Sequence, residues 1–253
     1  MCKDNKPVVD ESYKATNEYL KLKAELTEFE MKDWRDTVWS EEIIAKYKVF
    51  YSFPIFSKID MPRAFIGQTF YNFKKFNRTM EIIVEIMEKN SWKWFLISGK
   101  PGIGKSHLAI ACMVKSMGES KKKSGKYDTG ESIFLRLKEN AGLEERVIDI
   151  YSSFDVLVID ELEAEKITSF NDNAVKGFFQ EILKRRSDNK KQTIVIGNKS
   201  EEIKKIIGDN GFSRFKGGGE ILDLIGDAWV DYRPTIKKEA NTAADTPFYG
   251  VGL

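Results

Sequence analysis

Gly99-Lys100-Pro101-Gly102-Ile103-Gly104-Lys105-Ser106 reads G-x-x-x-x-G-K-S, and its flanks say how it folds. Upstream, Trp92-Lys93-Trp94-Phe95-Leu96-Ile97-Ser98 is an apolar stretch of strand length. Downstream, His107-Leu108-Ala109-Ile110-Ala111-Cys112-Met113-Val114 has a helical pattern. Strand, glycine loop and helix in that order make a phosphate-binding P-loop. The glycines let backbone N–H groups turn inward around a phosphate, and the helix N-terminus adds its partial positive charge. Lys105 is expected to reach the β- and γ-phosphates and Ser106 to ligate Mg²⁺. The plainer alternative is a glycine-rich turn with no ligand, which leaves every matching position a coincidence.

A second stretch completes the chemistry. Phe154-Asp155-Val156-Leu157-Val158-Ile159-Asp160-Glu161 is an apolar strand ending in two carboxylates. In a parallel sheet, ligands sit beyond the carboxyl ends of the strands, where the P-loop also lies. Asp160 is then placed to reach Mg²⁺, and Glu161 to orient and deprotonate an attacking water. Glu163 and Glu165 read as a solvated acidic loop. Asn198 ends the next apolar strand, where its amide suits the γ-phosphate or the lytic water; the alternative is a turn residue. Asn198-Lys199-Ser200-Glu201 resembles the guanine-reading N-K-x-D, but Glu201 stands where Asp is required, and no D-x-x-G follows Asp160. ATP is therefore favoured over GTP.

Working outward, apolar strands alternate with helices from about residue 65. Asn77 to Lys89 reads as a helix with Met80, Ile83, Val84 and Met87 on one face. Ile133 to Leu137 reads as a strand, Glu139 to Tyr151 as a helix, and Asn171 to Arg186 as another. Gln192 to Gly197 is a buried strand, followed by two short helices and a last strand at Glu220 to Leu224. The fold class is α/β, a P-loop NTPase core whose parallel sheet is covered by helices on both faces. Lys121-Lys122-Lys123-Ser124-Gly125-Lys126 reads as a basic loop that either binds phosphates or is merely solvated.

Residues 1–62 differ from the rest. Asp10 to about Trp34 is charge-rich, with Leu20, Ala24, Thr27, Met31 and Trp34 on one helical face. A short helix is expected after Ser40, then an aromatic linker, Phe50 to Phe56, broken by Pro54. This region is either a helical appendage on the main body or a partner-docking arm. The expected division is 1–62 as helical arm and linker, 63–233 as the NTPase domain and 234–253 as a polar, loose tail.

Composition sets outer limits. A formal charge of +2 on 253 residues makes any nucleic-acid site a local patch. Cys2 and Cys112 make no disulfide framework, and with a single histidine they cannot close a four-ligand zinc site within one chain. The charged N-terminus does not suit a signal peptide, and no apolar run reaches ~18 residues. A soluble cytoplasmic protein without membrane contact is expected.

Together these residues resemble the AAA+ ATPases of the bacterial helicase-loader family, the DnaC, DnaI and IstB group. Gly104-Lys105-Ser106-His107-Leu108-Ala109 matches the group's G-K-[ST]-H-L-A. Thr69-Phe70-Tyr71-Asn72-Phe73 resembles its T-F-x-N-F, and Asp160-Glu161-Leu162-Glu163-Ala164-Glu165 its D-[DE]-x-G-x-E, with Glu163 in place of glycine. Phe212-Ser213-Arg214-Phe215 resembles S-R-[LF], and Asp231-Tyr232-Arg233 the closing [DS]-[YW]-R.

The resemblance implies that Gly99 to Ser106, with His107 behind them, hold ATP and Mg²⁺. It implies that Asp160 and Glu161 are the hydrolytic carboxylates, Asn198 the sensor, and Arg214 an arginine finger acting on a neighbouring subunit's ATP. Arg185 is a second candidate for that role, and Arg233 a weaker neighbour of the nucleotide. The implied partners are a hexameric replicative helicase, held through residues 10–50 with Leu20, Met31 and Trp34 as anchors, single-stranded DNA, and further copies of the chain. An IstB-like transposition helper and a nucleotide-gated adaptor with little hydrolysis are the alternatives. The 29 residues after Leu224 are too few for a lid of three or four helices of ~11 residues. Between Leu137 and Phe154 there is room for about one helix, less than the family's DNA-contacting insertion.

Overall fold

The structure, a computed structural model, describes residues 17–30, 41–75, 77–120, 122, 124–163 and 172–224. Among these, six strands form one parallel sheet. They are β1 (Ile59–Asp60), β2 (Trp94–Gly99), β3 (Gly125–Thr129), β4 (Val156–Asp160), β5 (Gln192–Gly197) and β6 (Gly219–Leu224), in the order β1-β3-β4-β5-β2-β6. The helices are α1 (Asn17–Glu30), α2 (Glu41–Phe56), α3 (Arg78–Lys89), α4 (Lys105–Glu119), α5 (Gly130–Glu139), α6 (Glu144–Ser153), α7 (Asp172–Asp188) and α8 (Ser200–Gly218). Two 3₁₀ turns, Arg63–Phe65 and Phe70–Asn72, lie ahead of α3.

Strand side chains alternate faces, and the core divides accordingly. Phe95, Ile97, Val156, Val158, Ile194 and Ile196 meet α3 and α4 on one side. Leu96, Leu157, Ile159 and Val195 meet apolar residues of α5 to α8 on the other. With both faces covered, the central strands have no polar side to show, as their apolar runs predict. In α3 the four expected residues are the buried ones, and the Asn77 side chain accepts from the Met80 N–H group (2.9 Å) to start the helix. The two helices expected after β5 are the halves of α8, which kinks at Gly208. The backbone there has φ 70° and ψ 173°, a conformation essentially confined to glycine.

Three expectations are corrected. Ile133 to Leu137 is not a strand; it lies in α5, begun by the Thr129 hydroxyl accepting from Ser132 N–H (3.1 Å). The strand is Gly125–Thr129, hidden in the sequence by two charges. Lys126 pairs with Asp60 (2.6 Å) and Asp128 (3.6 Å), and Tyr151 donates to Asp128 (2.7 Å), so both charges are buried with partners. The helix expected over Glu139 to Tyr151 is instead α6, separated from α5 at Asn140, whose side-chain amide donates to the Arg136 carbonyl (2.7 Å). Two helices, not one, therefore join β3 to β4.

The aromatic linker is likewise helical. Helix α2 runs through Phe56 with Pro54 inside its last turn. Phe53 and Phe56 are buried at 0% and 3% exposure. At about 1.5–3 kcal/mol each, their burial matches the roughly 3 kcal/mol that proline costs in a helix interior. In α1 the packed residues are Tyr19, Leu22 and Leu26, with Tyr19 stacked on Phe50 at 5.0 Å. Leu20 and Ala24, expected on the apolar face, are exposed. Thr27, Met31, Trp34 and the tail from residue 225 lie outside what the structure describes of side chains.

Arg186 of α7 is the largest fully buried side chain among the described residues. It donates to Thr193 Oγ1 (2.9 Å) and to the carbonyls of Tyr151 (2.9 Å), Phe154 (2.7 Å) and Gln192, tying α6, α7, β4 and β5 at one end. Burial lowers its pKa to about 9, which leaves it charged at neutral pH. Arg186→Ala strands these acceptors and is expected to cost upwards of ~3 kcal/mol in urea unfolding. Arg186→Lys should recover only part, because one ammonium cannot reproduce the guanidinium fork.

Candidate nucleotide-binding site

Strand β2 stops at Gly99, the loop Lys100–Gly104 follows, and α4 begins at Lys105. The left-handed conformation of Gly104 (φ 97°) turns the chain into the helix, and an added Cβ would lie 2.8 Å from the Phe73 ring. Lys105 Nζ donates to the carbonyls of Gly99 (2.6 Å) and Lys100 (2.9 Å) and to Asn198 Oδ1 (3.2 Å). Helix α4 then crosses over the sheet toward β3, which carries its first turn onto the carboxyl end of β4. There Ser106 Oγ donates to Asp160 Oδ2 at 2.5 Å.

Asp160 is only 3% exposed, so its charge needs partners. Oδ2 also accepts from Tyr127 OH (2.6 Å), and Oδ1 from the Glu161 N–H group (2.6 Å). Burial and the neighbouring carboxylate push the Tyr127 pKa far up, so it acts as a donor throughout the neutral range. Tyr127 was not singled out from the sequence, because the strand carrying it was not recognised. Ser106 Oγ and Asp160 Oδ2, adjacent oxygens at the foot of the P-loop, suit Mg²⁺, which takes one or two protein oxygens and completes its shell with phosphate and water. No group of three or more His, Cys, Asp or Glu placed to hold a metal ion is present among the described residues, and none is needed for a nucleotide-borne ion.

Beyond β4 the chain is pinned by Leu162. Its side chain is fully buried and its N–H donates to the Ile196 carbonyl (2.9 Å). That anchor, with the Asp160–Glu161 bond, holds Glu161 at a positive φ of 50°, rare for a non-glycine residue, with its side chain exposed at the rim. Asn198, at the end of β5, sits between β4 and β2. Glu163 is not a solvated acid: its Oε1 accepts from Asn198 Nδ2. The site therefore brings Gly99 to Ser106, Asp160, Glu161 and Asn198 to one end of three adjacent strands, and adds Tyr127 and Glu163.

The segment upstream of α3 is built into the P-loop. Asn72 Oδ1 accepts from Thr69 N–H (2.9 Å) and Oγ1 (3.1 Å), closing a capping box. The Thr69 carbonyl accepts from His107 Nε2 (2.9 Å), and the Phe73 ring meets the His107 ring edge-to-face at 5.1 Å. A carbonyl only accepts, so Nε2 carries the proton. His107 thus fastens this segment to α4, and its role is packing and hydrogen bonding behind the loop.

The outlying candidates divide. Arg185 is held by Glu145 (2.5 Å), Asp149 (2.8 Å) and Glu181 (2.8 Å), which raises its pKa and staples α6 to α7; this removes it as a finger candidate. Arg214 lies half-buried on α8 near Glu181, with its Nε unpartnered among the described residues. Arg233 lies outside the described residues. In the basic loop, Lys122 turns inward to Ser116 Oγ (2.5 Å) and Gln192 Oε1 (2.6 Å), and burial lowers its pKa. Lys126 is buried with its carboxylates, so neither is a surface phosphate contact. A groove of about 610 Å³ between α5 and α6 is instead lined by Arg136, Arg146 and Asn140, with Leu135 and Ile150 exposed beside it.

A family model described as IstB-like ATP binding protein matches residues 72–214. The replicative helicase loader DnaC of Escherichia coli strain K12 is 31% identical over 147 residues, covering 56% of this chain. The chain spans 57% of that relative's length. Among solved structures, the fold is similar to a crystal structure of the DnaC helicase loader (TM-score 0.55, 19% identity, 65% of this chain and 100% of that one). It is also similar to AMPPCP-bound DnaA from Aquifex aeolicus (TM-score 0.51, 17% identity, 70% of this chain and 56% of that one).

The contact at His107 has a pH signature. Burial lowers its pKa below the ordinary 6.5, and the Thr69 carbonyl offsets this only in part. The unfolded chain therefore takes up the proton first, so stability falls as pH drops through 6.5 toward the folded value. This is the chain's single histidine. His107→Gln should flatten the decline in melting temperature between about pH 7 and pH 5.5, above the main range of carboxylate titration.

Proposed function

The chain belongs to the family of IstB-like ATP-binding proteins, and on that footing we propose that it is a Mg²⁺-dependent ATPase that loads a replicative DNA helicase. The observation carrying this reading is the convergence of two hydrogen-bonded pairs, Lys105 with Asn198 and Ser106 with Asp160, at one end of the sheet. Lys105 and the N–H groups of the loop and of the first turn of α4 bind the triphosphate tail. Ser106 and Asp160 hold Mg²⁺, which when bound neutralises phosphate charge. With the ion bound, Asp160 would keep Tyr127 and its own backbone contact, and the ion would take the place of the Ser106 hydroxyl. Glu161, exposed at the rim, accepts a proton from the attacking water, and Asn198 orients that water or the γ-phosphate.

Self-association through the nucleotide is part of the same proposal. Charge develops on the γ-phosphoryl oxygens, and Arg214 of a neighbouring copy would stabilise it. The assignment rests on the resemblance of Phe212-Ser213-Arg214-Phe215 to the family's S-R-[LF] segment. The chain divides as 1–62, a helicase-binding arm; 63–233, the AAA+ domain; and 234–253, a tail. Within the arm, the exposed Leu20 and the sequence-derived anchors Met31 and Trp34 suit helix-in-groove docking. Single-stranded DNA is assigned to the groove of Arg136 and Arg146. A cytoplasmic location is consistent with the absence of a helix long and apolar enough to cross a membrane among the described residues. A second reading, carried by the resemblance to the IstB group, is a helper of DNA transposition.

Lys105→Ala should abolish ATP binding. Glu161→Gln should keep binding and lose about 100-fold or more in turnover; full turnover in that variant overturns the assignment of Glu161. Arg214→Ala should lose turnover only in the assembled state, and an equal loss in a proven monomer refutes a role across the interface. Light scattering with the cognate replicative helicase, with and without ATP, separates the two readings. A complex that Trp34→Ala abolishes supports the loader. No complex in any nucleotide state, with ATP-dependent assembly on duplex DNA, supports the transposition helper.

A further inference from the structure

The amide of Asn198 stands between a cation and an anion. Lys105 Nζ has only protons to give and the Glu163 carboxylate only lone pairs, so Oδ1 must face Lys105 and Nδ2 must face Glu163. The resulting relay, Lys105 to Asn198 to Glu163, lies across the position the γ-phosphate is expected to take. We propose that Glu163 is a γ-phosphate gate: its carboxylate holds the Asn198 amide, and only a nucleoside triphosphate displaces it, so that Glu163 sets the discrimination between ATP and ADP. This inference rests on the reading of the site as an ATP site.

The physical basis is competition for one donor group and one region of space. A γ-phosphate draws Lys105 away from Asn198 Oδ1 and removes one half of the relay. It also offers Nδ2 a competing acceptor and places its negative charge beside the Glu163 carboxylate. Like charges at this range repel, and the hydrogen bond to Asn198 is charge-assisted, so both must be overcome before the triphosphate seats. A diphosphate, which ends one phosphate short of Asn198, leaves the Asn198–Glu163 bond in place. The fully buried Leu162 makes the coupling specific. It fixes the backbone one residue before Glu163 and one after Glu161, so the response falls on the Glu163 side chain.

The test compares Mg²⁺-dependent binding of ATPγS and of ADP by isothermal titration to wild type, Glu163→Gly and Glu163→Gln, with steady-state ATP turnover alongside. Glu163→Gly should bind ATPγS about tenfold more tightly and ADP within about twofold of wild type, since one charge-assisted hydrogen bond is removed from the cost of seating the triphosphate. Glu163→Gln, which keeps an acceptor but loses the charge, should fall between. Melting temperatures near wild type confirm that both variants fold. An unchanged ratio of ATPγS to ADP affinity, or weaker ATPγS binding in Glu163→Gly, overturns the gate while leaving the ATP site intact. Loss of turnover in Glu163→Gly as deep as in Glu161→Gln also overturns it, by making Glu163 the base. Failure of wild type and both variants to bind either nucleotide overturns the ATP reading and the gate with it.

Discussion

Asp160 is a carboxylate with almost no access to water, and the architecture around it is arranged to give its oxygens hydrogen-bond partners. Its oxygens take a hydroxyl from α4, a phenol from β3 and a backbone N–H from the turn that follows β4. Each partner comes from a different element, so the carboxylate sets their relative positions. The first turn of α4 must cross to β4, β3 must lie beside β4 in register with Tyr127 pointing to the α4 side, and the chain after Asp160 must bend back. Removing any one of these leaves a buried charge short of a hydrogen bond, which costs far more than an exposed pair contributes. The phosphate-side geometry follows from this satisfied charge.

A second coupling runs from the N-terminal side. Thr69, Asn72 and Phe73 form a closed turn whose carbonyl receives His107 and whose ring lies against Gly104. The segment that leads away from the α1–α2 pair is therefore in contact with the P-loop itself. Helix α2 continues into the core through Phe56, which shares one packed cluster with Phe70, Phe73 and Leu108.

The elements that were legible in the sequence share one property, a pattern that is local. The β2 strand and P-loop, the apolar runs of β4 and β5, and the 3- and 4-residue spacing of α3 each declare themselves within about a dozen residues. The elements that were misread are those whose polar residues find distant partners. Strand β3 carries Lys126 and Asp128, which look solvent-bound until Asp60 and Tyr151 are placed beside them. Lys122 looks like part of a basic patch until Ser116 and Gln192 close around it. Phe50 to Phe56 looks broken at Pro54 until the burial of Phe53 and Phe56 is weighed against the missing N–H. Glu163 looks like a solvated acid until Asn198 arrives from another strand.

The sequence by itself determined the P-loop class, the strand and helix bearing it, the pair of carboxylates ending a buried strand and the asparagine ending the next, because glycine conformations and unbroken apolar runs are local constraints. Which strands are neighbours was decided only in three dimensions. The order β4-β5-β2 puts Asn198 between the other two groups, the crossing of α4 puts Ser106 on Asp160, and the turn pinned by Leu162 puts Glu163 on Asn198. These are contacts between residues 35 to 93 positions apart in the chain. No local preference encodes them; they follow from burying two faces of one sheet while leaving no charge inside it unpaired.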